Sequence, residues 1–404
     1  MRFLLVFGLI LLVFSLGIHT VVVQSMSRLF GVPCPWGWLF LLVALSAANF
    51  VAVMWQSALT WNTGVRLWFV LTIYYVGILW ILFAVSLGYA LLRGVMHFTA
   101  PLPPRVVQVL VIGSAVGLVG YSLVHARQVT VKTIEVSSAK ISAPLTLVQL
   151  TDLHLGAVHG EGFVARLVAQ TNALKPDLVV LTGDLVDKGT TPEMLAGFAQ
   201  LQAPAFFVWG NHDDFLSREQ VAQVFRKTPI QILTNQVVLF RDTVQIVGLD
   251  YLMPQPKPDP RPILTRLALQ QTYFTLLLSH SPIDFDRLDG QPIDLQLAGH
   301  THAGQIFPFD LLVRLFYPRF SGLYTSGTTA LYVSSGTGTW GPPMRLGSQN
   351  ELTVVRLLPR TPGWSGDTFD GPNGKRKVSP RMREVRNDTS GGQGQKAAAP
   401  VAKE

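Results

Sequence analysis

From Met1 to Ile134 the sequence contains no aspartate and no glutamate, and all 24 acidic residues of the 404-residue chain lie from Glu135 onward. A water-facing surface mixes charges of both signs, so this stretch is excluded as the outside of an ordinary soluble domain. Cysteine is nearly absent too: Cys34 stands alone, which rules out an intramolecular disulfide framework and leaves the compartment open. Arg2 has no neighbouring arginine, so no twin-arginine signal is expected. A cleaved signal peptide is also a poor fit, because the first apolar run is too long and no small-residue cleavage site comes after it.

What the acid-free part does contain is hydrocarbon. Hydrophobic residues make up 49% of the whole chain, and four apolar stretches, residues 3–23, 36–59, 67–92 and 106–124, approach or exceed the roughly 20 helical residues that cross a bilayer core. Trp36, Trp38, Trp61 and Trp68 fall near the ends of these stretches, where amphipathic indoles prefer the headgroup region. Four spans put both ends of the bundle on one side. Arg2, Arg66, Arg127, Lys132 and Lys140 then oppose Arg28, Arg93 and Arg105, and the positive-inside rule predicts a cytoplasmic C-terminal domain. The expected organisation is a four-helix transmembrane region over 1–127, a linker and domain start over 128–143, a folded domain over 144–360 and a disordered basic tail over 361–404. The formal net charge of +8 sits largely in membrane loops and in that tail. It is read as solvated charge, and no nucleic-acid partner is expected.

From about residue 144 the pattern becomes short apolar runs separated by helical periodicity, the signature of an α/β domain. The runs are TLVQL (146–150), DLVVL (177–181), AFFVW (205–209), FTLLL (274–278), DLQLA (294–298) and ALYVS (330–334). The residues just beyond these runs carry the chemistry. TDLHLG supplies Asp152 and His154, TGDLVDKG supplies Asp184 and Asp187, and GNHDD supplies Asn211 and His212. SHSP supplies His280, and GHTHAG supplies His300 and His302. All fall at carboxyl ends of strands, the edge where open α/β sheets bind ligands. One histidine beside a strand is ordinarily a hydrogen-bonded core residue, but five of the chain's nine histidines stand here. Burying them with carboxylates and no cation would be costly.

Carboxylate, imidazole and one amide without thiolate suit Mn, Fe, Zn, Ni or Co. Asp152, His154, Asp184, Asn211, His280, His300 and His302 exceed one tetrahedral centre and suffice for two ions if a carboxylate bridges them. In this order, D-x-H, GD-x-x-D, GNHD, H and GH-x-H resemble the signature of the calcineurin-like metallophosphoesterases over about 146–358. The membrane-anchored branch of YkuE- and YaeI-type phosphodiesterases is the most similar in GHTHAGQI and VSSGTGTWGPPMRLGS. Ala303 replaces the usual second glycine, a change expected to be neutral, and Gln349-Asn350-Glu351 departs from the usual Pro-Glu ending, which leaves the last strand's register open.

The resemblance implies a four-layer αββα sandwich holding two divalent metal ions. One ion would take Asp152, His154, Asp184 and His302, the other Asp184, Asn211, His280 and His300. His212 would assist the leaving oxygen, with Asp187 orienting its ring. The function it implies is phosphodiester or pyrophosphate hydrolysis, manganese-dependent, with a lipid-linked substrate expected beside the bilayer. A soluble nucleotide or phosphoprotein substrate is the alternative. A non-catalytic membrane scaffold would be expected to lose His212 and Asp187, which are present, and a metallo-β-lactamase-like hydrolase would need an H-x-H-x-D-H run that is absent. Residues 309–324, FDLLVRLFYPRFSGLY, either pack under the sheet, the plainer reading, or admit acyl chains while Arg314 and Arg319 meet phosphate. His159 is either a substrate contact or a loop residue.

Overall fold

The computed structural model describes residues 2–34, 61–251, 259–288 and 290–360, and within the remaining stretches only 36–37, 39–40, 42–44, 46, 369–370, 376–377 and 381–385. Helices α1 (Arg2–Phe30), α2 (Thr63–Phe98) and α3 (Pro104–His125) carry the apolar stretches. Among the described residues three helices, not four, are long and apolar enough to cross a membrane. The expected span over 36–59 lies mostly outside the described residues. Helix α2 starts where the Asn62 side chain accepts from the Val65 N–H at 3.0 Å. It stops before prolines 101, 103 and 104, which cannot continue the ladder.

The 36 residues of α2 measure about 54 Å at the α-helical rise, well over a hydrocarbon core of about 30 Å. The same helix also seats the globular domain: Arg66 Nε donates to the Ala157 carbonyl at 3.2 Å, and Trp80 Nε1 to the Ile306 carbonyl at 3.1 Å. Gly77 permits the closest approach, since a Cβ there would stand 2.7 Å from Met344 Sδ and 2.8 Å from Pro342 Cβ. Ile306 and Met344 share one apolar cluster with Leu29, Ile81, Val85, Tyr89, Val107 and Val111 of the three helices.

The globular domain starts within residues 128–143. Residues 129–138, inside the stretch expected to hold a linker and the domain start, form β1 (Val129–Ser138), which pairs in parallel with β12 (Asn350–Pro359) over its whole length. Its partner lies more than two hundred positions away, so local pattern could not reveal the pairing. The same register settles the open question at Gln349–Glu351: Val129 faces Asn350 and Thr130 faces Glu351.

All six expected runs are strands: β2 (Leu145–Leu150), β3 (Leu178–Thr182), β4 (Ala205–Val208), β8 (Phe274–Leu278), β9 (Leu295–Ala298) and β11 (Thr329–Val333). Four further strands join them: β5 (Ile230–Ile232), β6 (Gln236–Phe240), the buried β7 (Val244–Gly248) and β10 (Gly322–Ser326). The tail read as disordered contributes a small ribbon, β13 (Phe369–Asp370) with β14 (Arg376–Lys377), and an edge strand β15 (Arg381–Val385). Strand β15 lies antiparallel to β1, where Glu384 meets Lys132 at 3.1 Å. The free edge of β1 supplies the main-chain partners that composition does not disclose.

Two sheets result, β15-β1-β12-β2-β3-β4-β5 and β10-β11-β9-β8-β7-β6. Alternation sends Leu147, Val180 and Val208 to the interface between them, where they meet Ile246, Leu276 and Leu297. The opposite faces, Val148, Leu150 and Leu181, pack on α4 (Glu161–Ala173), α5 (Pro192–Ala196) and α6 (Arg218–Phe225). Beyond the second sheet, Leu277 and Val333 cover Leu264 of α7 (Arg261–Arg266) and Phe285. The mixed α/β, two-sheet architecture is therefore as expected, with helical layers outside both sheets.

Candidate metal centre

The loops leaving β2, β3, β4, β8 and β9 converge on one edge of the paired sheets. Local backbone is unusual there. Asp152 (φ 54°), His154 (φ 46°), Asp184 (φ 51°), His300 (φ 76°) and His302 (φ 49°) all occupy the left-handed region, which costs a non-glycine residue about 1–2 kcal/mol. Five strained residues at one place are a mark of a functional site. Gly210 lets two of these loops touch: a Cβ on it would stand 2.2 Å from Asp184 Oδ1. Ala303 shares the strain at φ 49°, so its replacement of a glycine is not neutral. Ala303→Gly is expected to raise stability by about 1 kcal/mol, read as a higher unfolding midpoint of the full chain.

The side chains form two groups. In one, His154 Nε2 lies 3.0 Å from His302 Nε2 and 3.7 Å from Asp184 Oδ2, and His302 Nε2 lies 3.4 Å from Asp152 Oδ1. In the other, His280 Nε2 lies 3.1 Å from Asn211 Oδ1, 3.0 Å from His300 Nδ1 and 3.2 Å from Asp184 Oδ2. Donors bound at about 2.1 Å to one ion stand about 3 Å apart when adjacent, so both groups have the spacing of a coordination sphere. Asp184 Oδ2 faces both, and its other oxygen accepts the His212 backbone N–H at 2.9 Å. All seven expected ligands are thus brought together, and the donor set fits two divalent ions.

Outer contacts fix which nitrogen each ring presents. His280 Nδ1 donates to the Thr182 carbonyl at 2.9 Å, turning Nε2 towards the other donors. His300 Nε2 meets the Tyr317 hydroxyl at 2.7 Å, turning Nδ1 inward. His154 Nδ1 lies 3.2 Å from Asp187 Oδ2. Asp187 thus faces two rings: the expected His212, whose Nδ1 is 3.9 Å away, and the nearer His154. Motif spacing cannot separate two histidines that flank the same carboxylate. Tyr317→Phe is expected to weaken metal binding by about 10–100-fold, as loss of such an outer partner does, measurable by chelator competition.

The charges are mutually frustrated. Burial pushes the Asp152 carboxyl up, and burial with the neighbouring His154 drives His302 well down. Burial lowers His280, yet the Asp184 charge outweighs it and raises the ring to about 9. Burial would also raise Asp187, but interaction with His154 and then His212 holds its carboxyl below the usual range. A cation relieves these conflicts by stabilising carboxylates beside neutral imidazoles. His212 is half-buried, between Phe215 at 5.5 Å and Trp340 at 6.0 Å between ring centroids. Its pKa is raised, burial being outweighed by Asp187 and Asp184.

Two supporting residues escaped the sequence reading. Asp213, the second acid of GNHDD, is buried and accepts from the N–H groups of Leu185 (2.7 Å), Val186 (3.1 Å), Asp184 (3.0 Å) and Gly210 (2.6 Å). Arg345, fully buried, donates to the carbonyls of His302 (2.7 Å), Ser335 (2.8 Å) and Gly338 (2.8 Å) and to Asn350 Oδ1 (2.7 Å). Burial lowers its pKa to about 10. Asn350 in turn donates to the Ala126 carbonyl at the end of α3 at 2.6 Å, linking the apolar helix and the ligand loop. The doubled acid was the available signal for Asp213; nothing local marks Arg345 as buried. His159 is a packed loop residue, hydrogen-bonded to Thr339 at 2.9 Å and tilted against Phe163.

Residues 145–304 match the calcineurin-like phosphoesterase family profile. An uncharacterised metallophosphoesterase of Campylobacter jejuni is 36% identical over 237 residues, 56% of this chain and 63% of that one. A transmembrane protein with metallophosphoesterase domain from Danio rerio is 34% identical, covering 59% of each chain. The metallophosphoesterase YkuE of Bacillus subtilis is 31% identical, covering 52% of this chain and 78% of that one. With these matches and the geometry above, the chain belongs to the calcineurin-like metallophosphoesterase family. It spans less than two thirds of the length of the first two relatives.

Proposed function

We propose that the chain is a membrane-anchored, dinuclear metal-dependent phosphoesterase that hydrolyses a phosphodiester or pyrophosphate in a lipid-linked substrate, with its catalytic domain on the cytoplasmic side. The observation that carries the reading is the position of Asp184 Oδ2, which faces both groups of nitrogen and oxygen donors. Asp152, His154, Asp184 and His302 would hold one ion, and Asp184, Asn211, His280 and His300 the other. Two such ions supply Lewis acidity and lower the pKa of water towards neutrality.

The chain's own residues complete the chemistry. His212, whose pKa Asp187 and Asp184 raise, is placed to give a proton to the leaving oxygen. Asp187 holds the His154 ring from behind. The lipid-linked substrate is supported by the contact between the site's loops and α2 and by the exposed aromatics Phe215 and Trp340 beside His212.

The test is hydrolysis of a chromogenic phosphodiester by the full chain, stripped with chelator and reloaded with manganese. Activity is expected to vanish and return; activity that persists after stripping contradicts the proposal. His212→Asn is expected to lower kcat by about 10²–10⁴-fold, the usual worth of a positioned proton donor, with metal content unchanged. A detergent-dispersed acyl substrate should be cleaved faster than its deacylated analogue, and equal rates would favour a soluble nucleotide or phosphoprotein substrate.

A further inference from the structure

We propose that α8 (Phe309–Phe316) is an interfacial helix that lies on the lipid bilayer and holds the mouth of the metal centre against it. The inference rests on the phosphoesterase reading only for its purpose; the placement of the helix stands on its own observations. None of its residues is buried, so within 309–324 the expected packing holds only for the later residues, where Phe320 is buried and Leu323 and Tyr324 pack on the core.

The helix faces the wrong way for water. Leu311, Leu315 and Phe316 are 55%, 76% and 75% exposed. Asp310, by contrast, is only partly exposed and pairs with Arg314 at 3.6 Å, and the Arg314 guanidinium stacks 4.1 Å from the ring centroid of buried Phe320. A helix on a soluble surface turns its apolar stripe inward; this one presents leucine and phenylalanine outward. Single exposed hydrophobic residues are ordinary, but a contiguous outward stripe marks an interaction surface.

Continuity with the apolar helices identifies the occupant. Phe309 meets Trp80 of α2 edge-on at 5.6 Å, and the Trp80 ring also neighbours Phe83 at 5.5 Å and exposed Phe14 of α1 at 6.0 Å. The surface that faces lipid along α1 and α2 therefore runs on into α8 without a polar break at that junction. Charge plays little part, because Arg319 is held by Asp286 at 2.6 Å and Arg314 by Asp310. The expected arginine–phosphate contacts are replaced by apolar insertion of the kind seen in in-plane amphipathic helices. Just past the helix, Tyr317 reaches His300, so a bilayer seated on α8 brings headgroup phosphates to the centre.

The test uses nitroxide labels in the full chain, reconstituted in lipid vesicles on a Cys34→Ser background. Leu311→Cys and Leu315→Cys are labelled separately, with Arg226→Cys at the exposed end of α6 as the aqueous reference. Collision with oxygen, which concentrates in the bilayer, is compared with collision with a water-soluble nickel chelate. The oxygen-to-nickel ratio is expected to be several-fold higher at both α8 positions than at position 226. Equal ratios would overturn the proposal, as would exclusion of both probes, the result for a second copy or a protein partner on this face. No turnover is needed, so this result and the failure of hydrolysis are separately readable.

Discussion

Asp184→Asn is expected to abolish phosphodiester hydrolysis, with a loss of 10³-fold or more, beyond the roughly 10²–10³ for removing one electrostatic donor. The size of the effect comes from position. Asp184 Oδ2 is 3.2 Å from His280 Nε2 and 3.7 Å from His154 Nε2, so a single atom serves both ion sites. An amide removes the negative charge from both and can turn an NH₂ group towards them. The fold should survive, because the remaining amide oxygen can still accept the His212 N–H now bonded at 2.9 Å. Metal content should fall with activity while the unfolding midpoint of the stripped protein stays close to that of the parent. Full activity in this variant would refute the bridging role.

Asp213→Ala should produce the largest structural effect. Four backbone N–H groups from the loops after β3 and β4 converge on its carboxylate. Truncation leaves all four without that acceptor in a site where Asp213 is only 1% exposed. At about 1–3 kcal/mol for each buried unsatisfied donor, the sum is about 4 kcal/mol or more, a large part of a typical domain's 5–15 kcal/mol. The expected result is a sharply lowered unfolding midpoint together with weakened metal binding, because Asp184 and Gly210 are themselves clamped. An unchanged midpoint in chemical denaturation would show that the loops hold their shape without it. Asp213→Asn should be intermediate, since one amide oxygen still accepts.

Much of the catalytic edge was legible because strand-end chemistry repeats. Five of the six apolar runs end in acids, histidines or an amide, and all six are strands, with those residues gathered at one edge. What stayed hidden has identifiable causes. Strands β1 and β12 stabilise each other across the length of the domain, and no window of sequence holds both. Strand β15 gains its structure from an edge rather than from its own composition. Asp187 stands near two histidines, and only distance shows that His154 is the nearer. The apolar face of α8 was visible as a pattern, but a pattern does not say whether such a face turns inward or outward. Nothing in the sequence around Arg345 marks it as buried, yet it bonds His302, Ser335 and Gly338 in the ligand and closing loops and Asn350 at the start of β12.

The most direct measurement is the metal content of the purified full chain, determined by elemental analysis alongside Asp184→Asn. Two divalent transition-metal ions are expected per parent chain and fewer than two in the variant. A parent chain that binds no more than one ion after loading with manganese, zinc, iron, nickel or cobalt would contradict the shared centre.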